Sequence, residues 1–196
     1  ATTDRKLAGM KLVLDCANGA AYRVAEHVFR DLGAEVIVLA NEPDGTNIND
    51  NCGSTHPAAL QQKVLEEKAD AGLAFDGDAD RLIAVDEKGR LVDGDRMLYI
   101  CAKMLKDEGA LPDCRVTATV MSNLGFHKAV ESLGCRVDVT AVGDRYVLES
   151  MRKNGCVLGG EQSGPIIFLN HSTTGAGMLS AIQLTRAMRA SGQPLS

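Results

Sequence analysis

Three aspartates, Asp76, Asp78 and Asp80, occupy alternate positions in AFDGDADRLIAV, residues 74–85, with only Gly77 and Ala79 between them. Carboxylates this close repel one another, and a bound divalent cation is the simplest way to keep all three ionised. An all-oxygen donor set on a short loop suits Mg2+, which takes a few carboxylates, retains water and shares substrate phosphate oxygens. The small intervening residues let the backbone curl so that the carboxylates converge, and Arg81 follows with a planar fork matched to a pair of phosphate oxygens. A solvated acidic turn is the plain alternative. The sharper rival is a calcium loop of EF-hand type, since Glu87 stands twelfth from Asp76. That pattern needs Gly at the sixth place, where Arg81 stands, and helices on both flanks, whereas 69–75 and 82–85 read as strands.

A second polar stretch, GEQSG at 160–164, sets Glu161, Gln162 and Ser163 between glycines. A carboxylate that accepts from neighbouring hydroxyls, with glycines that permit close approach, suits a polyol; an ordinary polar turn is the alternative. In VGDRY, residues 142–146, Asp144 is an expected N-cap and Arg145 an anion hook at a helix start, against the simpler reading of a cap beside a surface arginine. Ser122 and Asn123 stand between a strand and a helix, suited to phosphate contact or to capping. His56 and His127 fall at a loop edge and inside a helix and are given no catalytic role, and no Ser/His/Asp or Cys/His arrangement is legible.

The elements that present these loops follow from hydrophobic periodicity and punctuation. Strands are expected over 10–16, 35–39 and 69–75, with helices over 22–32 and 57–68 between them, so the aspartate loop leaves the C-terminal end of a third strand. The order recurs: strands over 115–121, 136–141 and 156–159 alternate with helices over 124–133 and 144–153, and GEQSG leaves the third strand. DLGAEVIVL at 31–39 and SLGCRVDVT at 132–140 show one design used twice. A strand extension and turn over 85–93, a helix over 95–105, a short strand over 166–169 and a final helix over 177–190 complete the chain. The expected fold class is α/β, two tandem three-layer α/β/α domains built on repeated βαβαβ units, divided as 1–93 (metal loop) and 94–196 (sugar loop). In open parallel sheets, ligands sit outside the carboxyl ends of the strands.

A net charge of −5, four Phe, three Tyr and no Trp argue against nucleic acid as a partner. The six cysteines form no C-x-x-C pair and mostly lie in apolar patterns, so reduced core thiols are expected and disulfide or metal roles are not. ATTDRKLAG does not read as a signal peptide, no apolar run reaches membrane-spanning length, and a cytoplasmic protein is expected. The closing ASGQPLS reads as a connector within something longer.

Taken in order, AFDGDADR, TVMSNLGF, VGDRYV, GEQSG and TTGAG resemble the motif series of the α-D-phosphohexomutases, and the likeness runs from LDCANGAA at residue 14 through the last helix. The resemblance implies an enzyme of four domains, of which this chain is similar to the second and third. It implies that the first domain supplies a serine that is phosphorylated in the active form, and that the second supplies the magnesium loop with Arg81 beside that phosphoserine. The third would supply the sugar loop with Glu161 and Ser163, joined here by Asp144 and Arg145, and the fourth a phosphate clamp. The resemblance further implies that the serine passes its phosphoryl group to a hexose or hexosamine phosphate and that the bisphosphate returns the other phosphate to the serine. Gln162 favours the amino sugar, glucosamine 6-phosphate to glucosamine 1-phosphate, feeding cell-wall precursor synthesis. Mannose or glucose phosphates are the rivals within the family, and a non-catalytic magnesium or sugar-phosphate binding module is the rival outside it. Two family motifs, a serine motif of the TASHNP kind and an RxSGTEP-like phosphate loop, are not found in these 196 residues, so the chain alone is expected to be inactive. Pro165 stands where the family usually has His, and Ala176 where it usually has Asp.

Overall fold

The structure, a computed structural model, describes residues 6–196. The first five residues of the stretch considered as a leader lie outside the described residues.

The run KLVLD forms β1 (Lys11–Asp15), buried at four of five positions. Burial on both faces explains its unbroken apolar character. It is flanked in parallel by β2 (Glu35–Leu39) and β3 (Ala71–Phe75), with α1 (Val24–Asp31) and α2 (Ala58–Glu67) as crossovers. β4 (Leu82–Asp86) then pairs antiparallel with β3, and β5 (Leu91–Val92) with β4, giving the order β2-β1-β3-β4-β5.

The second unit begins with α3 (Gly94–Asp107), whose N-cap Asp93 accepts from the Arg96 amide at 3.0 Å. It continues through β6 (Arg115–Thr119), α4 (Leu124–Ser132), β7 (Arg136–Thr140), α5 (Asp144–Asn154), β8 (Leu158–Gly160), β9 (Ile166–Phe168) and α6 (Gly177–Ser191). Its sheet order is β7-β6-β8-β9, with β7 and β8 parallel to β6 and β9 antiparallel to β8. The expected repeat is therefore present, but each sheet is mixed rather than purely parallel. The reason is chain length: residues 76–81 and 161–165 link β3 to β4 and β8 to β9, and a parallel return needs a dozen or more residues. Both candidate site loops are thus reversals.

Side chains alternate between two faces in each sheet. On one face of the first sheet Val13, Ala74 and Val85 pack with Leu60 and Val64 of α2. On the outer face of the second, Val147 and Met151 of α5 pack with Cys156 and Ile167. The opposite faces share one core: Leu12, Leu14 and Leu73 belong to the same cluster as Met97 and Leu98 of α3, Leu184 of α6, and Val116 and Leu158. Each sheet has helices on both sides, and α3 and α6 serve both units. Leu12, Leu73, Met97, Leu98 and Leu158 are at most 1% exposed. Each such side chain contributes about 1.5–3 kcal/mol, so separating the units would be costly.

The reading of all six cysteines as reduced is corrected. Cys114 and Cys135 form a disulfide, with Cα atoms 4.6 Å apart, while Cys16, Cys52, Cys101 and Cys156 are free and buried. The cause is register: Arg115 pairs with Arg136 at the start of two adjacent strands, so the residues immediately before them face one another. Among the described residues no helix is long and apolar enough to cross a membrane.

Candidate functional site

The aspartate loop begins where β3 ends. The Ala79 amide donates to the Asp76 carbonyl at 3.1 Å and the Arg81 amide to Asp76 Oδ1 at 3.1 Å, which curls the chain around Asp76. Neighbouring segments fix the curl: Ala20 N–H donates to Gly77 O (2.8 Å), Ser54 N–H to Phe75 O (2.8 Å) and Gly177 N–H to Ala79 O (2.9 Å). One carboxylate oxygen from each of Asp76, Asp78 and Asp80 lies within 4.8 Å of the others. Arg81 Nε stands 3.7 Å from both Asp76 Oδ2 and Asp80 Oδ1, at the long end of an ion pair.

Asp80 carries the telling feature. Its side chain is 43% exposed, yet Oδ1 is buried without a hydrogen-bond partner. Burial first, then Asp76 and the charge of Asp78, push its carboxyl up to about 6 against the opposing pull of Arg81. A desolvated anionic oxygen among like charges is what a hard cation would relieve, and the all-oxygen donor set fits one.

A residue not singled out from the sequence holds the surroundings. Asp15, at the end of β1, is buried and accepts from the Ala17 amide (2.9 Å) and the Gly53 amide (2.8 Å). Those two segments neighbour the ones that clasp the aspartate loop, through Ala20 and Ser54. Burial raises the Asp15 carboxyl and the two amides draw it back. Its signal was an acid closing an otherwise apolar run, MKLVLD.

The GEQSG loop is closed by Glu161 N–H donating to Pro165 O (3.0 Å) and Gly164 N–H to Glu161 O (3.1 Å). Pro165 thus contributes its carbonyl, and the reversal forms without an amide hydrogen there. Glu161 is 8% exposed, and its Oε1 accepts from Gly143 N–H at 3.2 Å. Burial and then Asp144, by charge and hydrogen bond, raise its carboxyl, while the charge of Arg81 lowers it. Arg81 belongs to the aspartate loop and Glu161 to this one. Gln162 and Ser163 are exposed. Gly164 lies so close to Leu82 that a Cβ would come within 2.5 Å of the Leu82 carbonyl oxygen.

The remaining candidates are distributed differently. Asp144 is not the N-cap of α5; Gly143 is, and Asp144 is the first helical residue, its negative charge among the causes that raise the Glu161 carboxyl. Arg145 is 84% exposed and pairs with Glu149 at 2.8 Å, one turn along the helix. Ser122 Oγ and the Asn123 amide and side chain all donate to buried Asp95, and Asn123 caps α4, so these groups are already used. His56 bonds Thr55, and His127 stacks edge-on with Phe126.

An α/β/α architecture used twice, with polar reversals at matching strand ends, places the chain in the class of tandem α/β/α folds. The chain belongs to the phosphoglucomutase/phosphomannomutase family: the model of its alpha/beta/alpha domain II matches residues 1–89 and that of domain III matches residues 93–196. Among curated relatives it is 58% identical over 195 residues to the phosphoglucosamine mutase of Oceanobacillus iheyensis, covering 100% of this chain and 44% of that one. The phosphoglucosamine mutase of Desulforudis audaxviator is 61% identical over 190 residues, 97% of this chain and 42% of the relative. The chain therefore spans less than half the length of these relatives. A phosphoglucomutase/phosphomannomutase family protein from Burkholderia thailandensis superposes with a TM-score of 0.82 at 27% identity, over 96% of this chain and 43% of that one. An Aspergillus fumigatus N-acetylphosphoglucosamine mutase variant in complex with glucose 1,6-bisphosphate shares the fold, with a TM-score of 0.78 at 18% identity over 98% of this chain and 46% of its own.

Proposed function

We propose that the chain is the central part of a phosphoglucosamine mutase, carrying its metal loop and its sugar loop, and that Mg2+ is the metal. The observation that carries this reading is the buried Asp80 Oδ1, which makes no hydrogen bond, inside a triad of carboxylates with Arg81 Nε 3.7 Å away. Asp76, Asp78 and Asp80 would hold the ion, which when bound supplies charge neutralisation for a transferring phosphoryl group. Arg81 contacts phosphate oxygens. Glu161 accepts from sugar hydroxyls, oriented by Gly143 and Asp144, and exposed Ser163 adds a hydroxyl to the same loop. Arg145 takes part by exchanging Glu149 for substrate phosphate.

The relatives named as phosphoglucosamine mutases support the amino sugar over mannose or glucose phosphates, and with it a role in cell-wall precursor synthesis in the cytoplasm. The proposed boundary, after residue 93, lies one residue inside the stretch matched by the domain III model, which begins at residue 93, and four residues beyond the domain II match, which ends at residue 89. Turnover needs a phosphoserine and a phosphate clamp from other parts of a longer protein, so this chain alone binds without converting. The reading as a silent binding module rests on Pro165 and on Ala176, which caps α6 without a side-chain bond. Titration calorimetry with Mg2+, then with glucosamine 6-phosphate, tests the proposal. Binding of both, with Mg2+ affinity lost in Asp78→Asn, is the expected result; no Mg2+ binding, or none affected by Asp78→Asn, overturns it.

A further inference from the structure

The triad sits in the first unit, but one of the hydrogen bonds that shape it comes from the second. Gly177, the first residue of α6, donates its amide to the Ala79 carbonyl at 2.9 Å, in the middle of the aspartate loop. Ala79 has a left-handed backbone, φ 62, which an alanine adopts only when its surroundings hold it there. The contact allows no slack. A Cβ at Gly177 would overlap the Arg81 carbonyl oxygen and come within 2.9 Å of the Ala79 carbonyl oxygen. Two residues earlier, a Cβ at Gly175 would lie 3.3 Å from the Asp80 carbonyl oxygen and 3.2 Å from Asp144 Oδ2. The segment 175–177 therefore touches the main chain of the metal loop and a carboxylate beside the sugar loop at once. α6 itself is anchored in the shared core through Ala181 and Leu184, both fully buried.

We propose that Gly177 is a positioning residue for the metal loop, so that the second unit sets the geometry of a cation site whose ligands all belong to the first. This rests on the metal reading above. Its amide fixes the Ala79 peptide, and that peptide sets the direction of Asp78 and Asp80 on either side. Displacing α6 by one added methyl group would shift the two carboxylates relative to Asp76.

The test uses the whole chain and Mg2+ alone. In Gly177→Ala, Mg2+ affinity measured by calorimetry should fall at least about tenfold, the size associated with losing a group that orients a metal ligand. Ala187→Gly, in the same helix but away from the loop, should lower the melting temperature while leaving Mg2+ affinity unchanged. In the unsubstituted chain, saturating Mg2+ should slow hydrogen exchange of the Gly177 amide, a readout independent of whether the variant folds. Mg2+-dependent amide shifts at residues 76–80 with Gly177 exchange unchanged, or an affinity that falls as much in Ala187→Gly as in Gly177→Ala, would overturn the proposal alone. Absence of any Mg2+ response at 76–80 would overturn the metal reading with it.

Discussion

Asp80 Oδ1 concentrates the electrostatics of the aspartate loop in one atom: buried, without a hydrogen bond and next to two other carboxylates. Its carboxyl is raised from 3.8 to about 6, so in the metal-free chain the folded state holds a proton there that the unfolded state has released. Between those two values, lowering the pH therefore favours folding at this group, and above about 6 its ionised form disfavours folding. A Mg2+ ion held by the three carboxylates, as proposed, would reverse the balance by neutralising the ionised form. The increase in melting temperature caused by Mg2+ should accordingly be larger at pH 7.5 than at pH 5; an equal increase at both would place the cation elsewhere. Glu161 plays a separate part at the same scale. Glu161→Gln should abolish the response to glucosamine 6-phosphate while leaving Mg2+ affinity within about twofold, since the carboxylate accepts from the Gly143 amide and makes no hydrogen bond to the triad. A large loss of Mg2+ affinity in that variant would mean that the sugar loop contributes a ligand.

At the scale of elements, α6 begins at a weak point. Its N-cap, Ala176, offers no side-chain acceptor to the first amides of the helix. Ala176→Asp should add a cap worth about 1 kcal/mol, seen as a raised melting temperature, and an unchanged or lowered value would show that the added charge beside the aspartate loop outweighs the cap. The sequence revealed most elements because their punctuation is strong. β2 was read at its observed limits, and α4 and α5 to within a residue, from Gly134 and Gly155 at the helix ends and from the alternation between them. It concealed what depends on pairing across the sheet. The Cys114–Cys135 bond follows from strand register, which no local pattern of cysteines states. Denatured, unreduced protein should therefore present four titratable thiols rather than six, the four being Cys16, Cys52, Cys101 and Cys156. Six would mean that the two sulfurs are unbonded. Asp144 was misplaced by one position because Gly143, with its positive φ of 125, takes the cap.

Across the whole molecule, the aspartate triad was legible because its ligands are contiguous, and the GEQSG loop because its residue types are distinctive. Their convergence on one space was not. It depends on α3 and α6 sharing a core with both sheets, and on main-chain contacts such as Gly164 with Leu82 and Gly177 with Ala79. Those contacts set the two loops side by side, and the proposed single site predicts that ligand responses cross between the units. The most direct test is two-stage titration of the 15N-labelled chain, Mg2+ first and glucosamine 6-phosphate second, followed by amide shifts. The account requires Mg2+ shifts centred on residues 76–81 and extending to Gly177, then sugar-phosphate shifts at 161–164 that are larger when Mg2+ is present. Mg2+ shifts scattered over surface acids and absent from 76–81, or sugar-phosphate shifts at 161–164 that are the same with and without Mg2+, would contradict a single shared site.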